Sequence, residues 1–216
     1  MRARLFVDVT DPWSYVGTTR FERAAATFTI VRGEPVDMAL RAFQVDPDAT
    51  SSGRPLREAL AGRHGEHEAD EMLAQVSAAA RISGIDLNFH DAVEASSFDA
   101  WRLLTWAGDV GAAEQRDLAH QLWRAHLLEG ADVSDPFVLA TRAALVGLDL
   151  ETAEALLASD EYADQVRLQV EAGRAVNVTQ LPTVVIEDRW TLAGVHSQDD
   201  YVQALDAVYR EWRGEA

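Results

Sequence analysis

The chain contains neither cysteine nor lysine, although it has 216 residues. Without cysteine, disulfides, thiolate catalysis and Cys-ligated zinc sites are excluded. Without lysine, enzymes that form a Schiff base on a lysine amine are excluded as well. No apolar run approaches the roughly 20 residues that a membrane-spanning helix needs, so we expect no membrane partner.

Positive charge is also scarce, since the chain has 36 acidic residues but 19 arginines, which gives a formal net charge of −17. A field of this sign repels phosphate backbones, which argues against a nucleic-acid partner. The first residues have the pattern of a strand and lack the charged region followed by an apolar region that is typical of a signal peptide. We therefore expect a cytoplasmic protein. A small-molecule ligand is the expected partner, and a homodimer stays open.

The N-terminal part of the sequence predicts a strand, a helix and further strands. Residues 2–9 are apolar enough for a buried strand. Asp11 and Pro12 form a strong helix start, because Asp caps orphan amides and Pro suits the first helical position. The helix is predicted over residues 13–26. Strands are predicted at residues 27–31, which are β-branched, and at 36–43.

The remainder predicts a long helical segment followed by strands. Gly130, Gly147 and Gly173 each follow a helical run, as C-terminal glycines do. Ser197 starts the last helix, 198–212, with Asp200 completing a capping box. Strands are predicted at 181–186 and 189–194, joined by a tight turn at 187–188. The candidate helices of the middle segment are 56–62, 66–83, 97–109, 112–129, 135–146, 151–158 and 160–173.

This order, βαβ, a helical insertion and ββα, predicts an α/β protein with a thioredoxin-like fold. Residues 1–50 and 174–216 would form the thioredoxin-like domain. Residues 51–173 would form an all-helical insert domain that covers the site.

The motif D-x-x-D-P-W-S-Y-x-G at residues 8–17 resembles D-x-x-C-P-W-C-Y-x-G of the DsbA family, in particular its FrnE type. Further similar stretches lie at residues 42–48, 97–103, 134–139, 147–149, 178–183 and 193–196, so the resemblance covers nearly the whole chain. It implies a thiol oxidoreductase with a cis-proline at Pro182. However, Asp11 and Ser14 replace both redox cysteines, and dithiol exchange needs an attacking and a resolving thiol. We therefore expect a redox-inactive relative that binds a small organic ligand or a low-molecular-weight thiol.

Two other functions stay open. Kappa-class glutathione transferases and hydroxychromene-carboxylate isomerases resemble the chain more distantly, and Ser14 matches the second serine of their motif. That resemblance implies a thiol-dependent transferase or isomerase with a thiol cofactor, although residues 195–197 lack the acid and arginine that hold glutathione in that group. The other alternative is a non-catalytic binding module.

The candidate site surrounds the first turn of the first predicted helix. Asp11 and Ser14 are the candidate catalytic residues, although Asp11 is also a good helix cap. The helix dipole should lower the pKa of Asp11 and make it a hydrogen-bond acceptor rather than a base. No metal site is predicted, because the histidine spacings do not suit one. The candidate ligand-binding residues are Trp13, Tyr15, Trp101, Leu181, Pro182 and His196.

Overall fold

The computed structural model describes residues 1–214. Its order confirms the predicted α/β thioredoxin-like fold with a helical insertion, and all seven predicted insert helices form. The elements are β1 (Arg2–Val7), α1 (Pro12–Arg32), β2 (Asp37–Ala42), α2 (Leu56–His64), α3 (Glu66–Ile82), α4 (Phe98–Val110), α5 (Ala112–Leu127), α6 (Pro136–Leu145), α7 (Leu150–Leu157), α8 (Ala163–Ala175), β3 (Thr183–Ile186), β4 (Trp190–Ala193) and α9 (Gln198–Arg213).

The four strands form one mixed sheet in the order β2-β1-β3-β4. Strand β1 pairs in parallel with β2 and antiparallel with β3, which in turn pairs antiparallel with β4. The central position of β1 and β3 explains their apolar sequences, since both of their faces are covered. Val184 and Ile186 join the main core, whereas Phe6 and Val185 form a smaller cluster with Val178.

Two glutamines cover the outer edge of β2. The side-chain oxygen of Gln115 on α5 accepts a hydrogen bond from the Leu40 amide at 2.9 Å. The side-chain oxygen of Gln169 on α8 accepts one from the Ala42 amide at 2.9 Å. Unpaired edge amides invite pairing with another chain, so these contacts cover the β2 edge of the sheet and fasten α5 and α8 to it.

Helix α1 begins as predicted but ends six residues later than expected. The prediction of a strand at residues 27–31 was wrong, because these residues form the last turns of α1. Phe28 is buried and makes an edge contact with Tyr209 of α9, with ring centroids 5.7 Å apart. Thr29 also donates its hydroxyl hydrogen to the Ala25 carbonyl at 2.7 Å. Packing against α9 therefore outweighs the β preference of the branched side chains.

The caps of the later helices confirm the predicted signals with one exception. Ser197 and Asp200 form the predicted capping box of α9. Gly173 does not end a helix, since α8 continues to Ala175. A Cβ atom at Gly173 would lie 3.0 Å from Phe43 and 3.1 Å from Phe6. The glycine therefore allows α8 to approach the sheet closely.

One arginine connects α1 to the insert. Arg20 donates from Nε to the Ser83 hydroxyl and from Nη2 to the Ala79 carbonyl, both at 2.8 Å. Its Nη1 also donates to the His196 carbonyl at 3.3 Å. This side chain fixes α3 beside the first helix, close to the candidate site.

Among residues 1–214, no helix combines the length and the apolar character needed to span a bilayer.

Candidate functional site: an acidic turn beside an apolar cavity

The turn that leads into α1 orients Asp11 through hydrogen bonds to Ser14. Asp11 accepts from the Ser14 amide and from the Ser14 hydroxyl, each at 2.7 Å and each on Oδ2. The Ser14 oxygen accepts in turn from the Asp8 amide at 3.0 Å. Ser14 is fully buried, and both its donor and its acceptor functions are engaged. The Ser14 hydroxyl therefore serves to hold Asp11, and the Trp13 amide also contributes a hydrogen bond to the carboxyl group.

Asp11 has a pKa raised to about 6. The largest cause is removal of the carboxyl group from water, and the negative charge of Asp8 adds to it. The hydrogen bonds from Ser14 act in the opposite direction but do not compensate. The expectation that the helix dipole lowers this pKa was therefore wrong, because desolvation outweighs the dipole. A carboxyl group with a pKa this close to neutrality can act as an acid or a base.

A cavity of about 160 Å³ lies directly against Asp11. One wall is the start of α1, and the others are the segment after β2, helices α2 and α3, the segment before α4, and the end of α5. Most lining side chains are apolar. The lining residues are Thr10, Asp11, Pro12, Trp13, Val45, Asp46, Ala49, Leu56, Leu60, Arg63, Met72, Leu73, Val76, Glu94, Ala95 and His126.

The other acidic groups of the cavity are neutralised by arginines. Arg63 pairs with Asp46 and with Glu94, the latter at 3.1 Å. Glu94 is buried and also pairs with Arg54 at 2.8 Å. Asp11, in contrast, forms no ion pair with any residue of the described chain. It is the lining carboxylate that has no arginine partner.

His126 is a further polar residue of the cavity wall. The side chain is fully buried, and a hydrogen bond with the Ala131 backbone partly offsets the effect of burial on the imidazole. Burial lowers its pKa to about 4, so the imidazole is neutral at pH 7.

The predicted residues of the C-terminal segments lie against a different part of α1. The Leu181–Pro182 peptide bond is cis, and a Cβ atom on Gly17 would lie 2.3 Å from the Pro182 ring. His196 is half-buried, with Nε2 3.2 Å from the Ala193 carbonyl oxygen. Leu181, Pro182 and His196 do not line the cavity beside Asp11, and their roles in binding stay predictions.

Of the three predicted aromatic residues, one lines the cavity and two are buried in the core. Trp13 lines the cavity. Tyr15 is buried and stacks on Trp123 at a centroid distance of 5.4 Å. Trp101 is fully buried in the main core. Of the eight predicted site residues, Asp11 and Trp13 therefore meet at the cavity, with Ser14 behind Asp11.

Sequence reasoning missed the insert residues of the cavity. The histidine spacings argue against a metal site and give no other role to His126, a polar residue between apolar neighbours at the end of α5. Arg63 and Glu94 lie far apart in the chain, and no local pattern relates them. Within residues 1–214, no group of three or more side chains is arranged to hold a metal ion.

Comparisons with known proteins place this geometry in a family context. No curated protein matches the chain. A probable DsbA oxidoreductase from Streptomyces coelicolor is similar in structure, with 28% identity and a TM-score of 0.88 over 98% of this chain and 91% of that chain. The cytosolic disulfide reductase DsbM from Pseudomonas aeruginosa, solved with GSH, has 15% identity and a TM-score of 0.67 over 97% of this chain and 100% of that chain.

A 2-hydroxychromene-2-carboxylate isomerase shares the fold at 16% identity, with a TM-score of 0.65 over 100% of this chain and 98% of that chain. The family model of the DSBA-like thioredoxin domain matches residues 4–206, nearly the whole chain. The chain therefore belongs to the family of DSBA-like thioredoxin domains.

Proposed function

We propose that the protein binds a small organic molecule, built on a single ring, in the cavity beside Asp11. The observation that carries this proposal is the unpaired Asp11 carboxylate against a mostly apolar cavity of about 160 Å³. Such a site offers burial to the ring and one strong hydrogen-bond acceptor to a polar substituent. Most small-molecule sites combine apolar walls with a few placed polar groups in this way.

The size of the cavity sets the size of the ligand. An apolar cavity of about 150 Å³ holds benzene, and the cavity beside Asp11 is of similar volume. A tripeptide thiol such as glutathione is several times larger and would place at most its thiol end inside. The size of the cavity therefore favours a ring compound over a whole low-molecular-weight thiol.

The charge of the cavity sets the polarity of the ligand. Asp11 is mostly ionised at pH 7, because its pKa is about 6. An ionised carboxylate accepts hydrogen bonds and repels anions. We therefore expect neutral donors, such as phenols, to bind better than benzoate-like anions.

Calorimetric titration with p-cresol tests the binding directly. We expect saturable binding to the wild-type protein and its loss in Ala49→Phe, where the added ring occupies the cavity. Ala112→Phe is the matched control, since Ala112 lines a separate polar cleft, and it should bind p-cresol normally. Equal affinity in both variants, or no binding at all, would refute the proposal.

The family resemblance to oxidoreductases leads to a second experiment. Because the chain has no cysteine, its side chains lack the thiols that dithiol exchange requires. We therefore expect no catalysis of insulin reduction and no refolding of scrambled ribonuclease above a buffer blank. Turnover in either assay would refute redox inactivity.

The thiol-dependent alternative predicts a different ligand. Titration with glutathione and mycothiol should give binding stronger than that of p-cresol if the chain works like a thiol-dependent transferase or isomerase. The engaged Ser14 hydroxyl weighs against that alternative. The open cavity likewise weighs against a non-catalytic binding module whose pocket is filled by its own side chains. FrnE-type membership, cytoplasmic location and a homodimer stay predictions.

A further inference from the structure

A second cleft, of about 470 Å³, lies between the edge strand β2 and the insert helices α4, α5 and α8. It shares no lining residue with the cavity beside Asp11, and its volume is about three times larger. A cleft of this size suits a small organic molecule larger than a single ring.

Arg41 on β2 supplies a positive charge to this cleft. Side chains alternate between the two faces of a strand, and Leu40 and Ala42 are buried in the main core. Arg41 therefore lies on the opposite face of the sheet. Its side chain is half-buried, and the guanidinium forms neither a hydrogen bond nor an ion pair within residues 1–214.

The position of this guanidinium is unfavourable in the free protein. Burial lowers the pKa of Arg41, and the positive charge of Arg4 on the neighbouring strand β1 lowers it further. Arg4 itself pairs with Asp188, whereas Arg41 has no such partner. A charge that is taken from water is normally paired. The planar fork of arginine donors matches a carboxylate or a phosphate, so an anion in the cleft would supply the missing partner.

The other polar groups of the cleft narrow the choice of anion. Gln115 and Gln169 use their side-chain oxygens to accept from β2 amides, so these oxygens do not compete for Arg41. Asp109 also lines the cleft and accepts from the Tyr162 hydroxyl at 3.0 Å. Its negative charge, like the net charge of −17, repels a second negative charge on a ligand. A monoanion therefore fits the cleft better than a dianion.

We propose that this cleft binds a small organic molecule with a single carboxylate, and that the guanidinium of Arg41 pairs with that carboxylate. The remainder of the molecule would lie along Ala39, Ala112 and Leu168, which are apolar lining residues. The site is separate from the cavity beside Asp11, so neither proposal depends on the other.

Three probes of similar shape isolate the charge. Hippurate carries one carboxylate, hippuramide replaces it by a neutral carboxamide, and (benzamidomethyl)phosphonate replaces it by a phosphonate that is largely dianionic at pH 8.0. In calorimetric titrations at that pH, hippurate should bind about tenfold more tightly than hippuramide, because hydrogen bonds between charged groups are the stronger ones. The phosphonate should also bind more weakly than hippurate. Equal binding of hippurate and hippuramide, or stronger binding of the phosphonate, would overturn the inference.

Variants of Arg41 test the contact itself. Arg41→Gln should weaken hippurate binding about 10- to 100-fold, as expected for the loss of a charged hydrogen-bond partner, and should change hippuramide binding little. Arg41→Lys keeps the charge without the fork and should retain part of the affinity. Arg23→Gln is the matched control, because it removes the same charge at an exposed position of α1. Unchanged hippurate affinity in Arg41→Gln would contradict the assignment.

Unfolding without ligand gives an independent readout. If the guanidinium has no partner in the free protein, Arg41→Gln should leave the urea midpoint unchanged or raise it. A lower midpoint would show that Arg41 has an internal structural role, which would overturn the inference.

Blocking variants separate the two sites. Ala112→Phe fills the cleft and should abolish hippurate binding while p-cresol still binds. Ala49→Phe fills the cavity beside Asp11 and should have the opposite effect. Loss of hippurate binding in Ala49→Phe, or no binding of hippurate to the wild type, would overturn this inference and leave the proposed function intact. Failure of p-cresol alone would overturn the proposed function and leave this inference intact.

Discussion

Replacement of Asp11 by asparagine should stabilise the protein, and the gain should depend on pH. Asparagine caps helices as well as aspartate does, and its side-chain oxygen can still accept from the Ser14 amide and hydroxyl. The substitution therefore removes the charge and keeps the geometry. The gain arises because the folded protein holds this carboxyl group in surroundings that disfavour its ionised form.

The sign and size of the effect follow from the pKa. Folding raises the pKa of Asp11 from its ordinary value of about 3.9 to about 6. Between these values the folded state keeps a proton that the unfolded state has released, so the stability of the wild type falls as pH rises from about 4 to about 6. Two pKa units correspond to about 3 kcal/mol. Because Asp11 is half-buried, we expect a gain of about 1–3 kcal/mol at pH 7 and almost none at pH 4.

Urea unfolding followed by tryptophan fluorescence at pH 4.0 to 7.5 measures this difference. Asp149→Asn is the matched control, because Asp149 also accepts from the amide and hydroxyl of the residue three positions later. Asp149 is exposed, and the hydrogen bonds from Thr152 lower its pKa. Its replacement should cost stability at neutral pH. A pH-independent gain at Asp11, or a loss at pH 7, would refute the reasoning.

Three further predictions concern packing, the sheet edge and binding. Gly17→Ala should destabilise the protein by about 1–3 kcal/mol, because the new methyl group would overlap the rigid Pro182 ring; chemical denaturation measures the loss. Gln115→Leu should cost about 1–3 kcal/mol in the same assay, since the Leu40 amide loses its partner. The affinity for p-cresol should rise between pH 5 and 7 and then level off, because Asp11 accepts the phenol hydrogen in its ionised form; calorimetry at each pH measures this.

Controls exist for each of these predictions. Gly62→Ala meets nothing closer than 3.9 Å and should be neutral or stabilising, since alanine favours helices. Gln165→Leu replaces an exposed glutamine and should cost little. The pH dependence of p-cresol binding should vanish in the Asp11→Asn variant. A loss at Gly62 as large as at Gly17, or an unchanged pH dependence, would contradict the explanations given.

The fold could be predicted from the sequence because its signals are local. Asp11 with Pro12 and Ser197 with Asp200 cap their helices through neighbours within three residues, and the structure confirms both. The strand predicted at residues 27–31 failed because contacts with α9, which is distant in the chain, decide that segment.

The site was predictable in part for the same reason. The motif at residues 8–17 predicts Asp11 at the start of α1, where the structure has it, but the sign of its pKa shift depends on burial among the walls of the cavity. Those walls come from the segment after β2, helices α2 and α3, the segment before α4 and the end of α5, which no local pattern brings together.

The most direct test of the central claim is a ¹³C NMR titration of the Asp11 carboxyl group with and without p-cresol. The claim is that a carboxylate without a counter-charge faces an apolar cavity and accepts a hydrogen bond from a ring compound. We predict a pKa near 6 in the free protein and a lower pKa in the presence of p-cresol, because a donor stabilises the ionised form. A pKa near its ordinary value of about 4 that p-cresol does not change would contradict the claim.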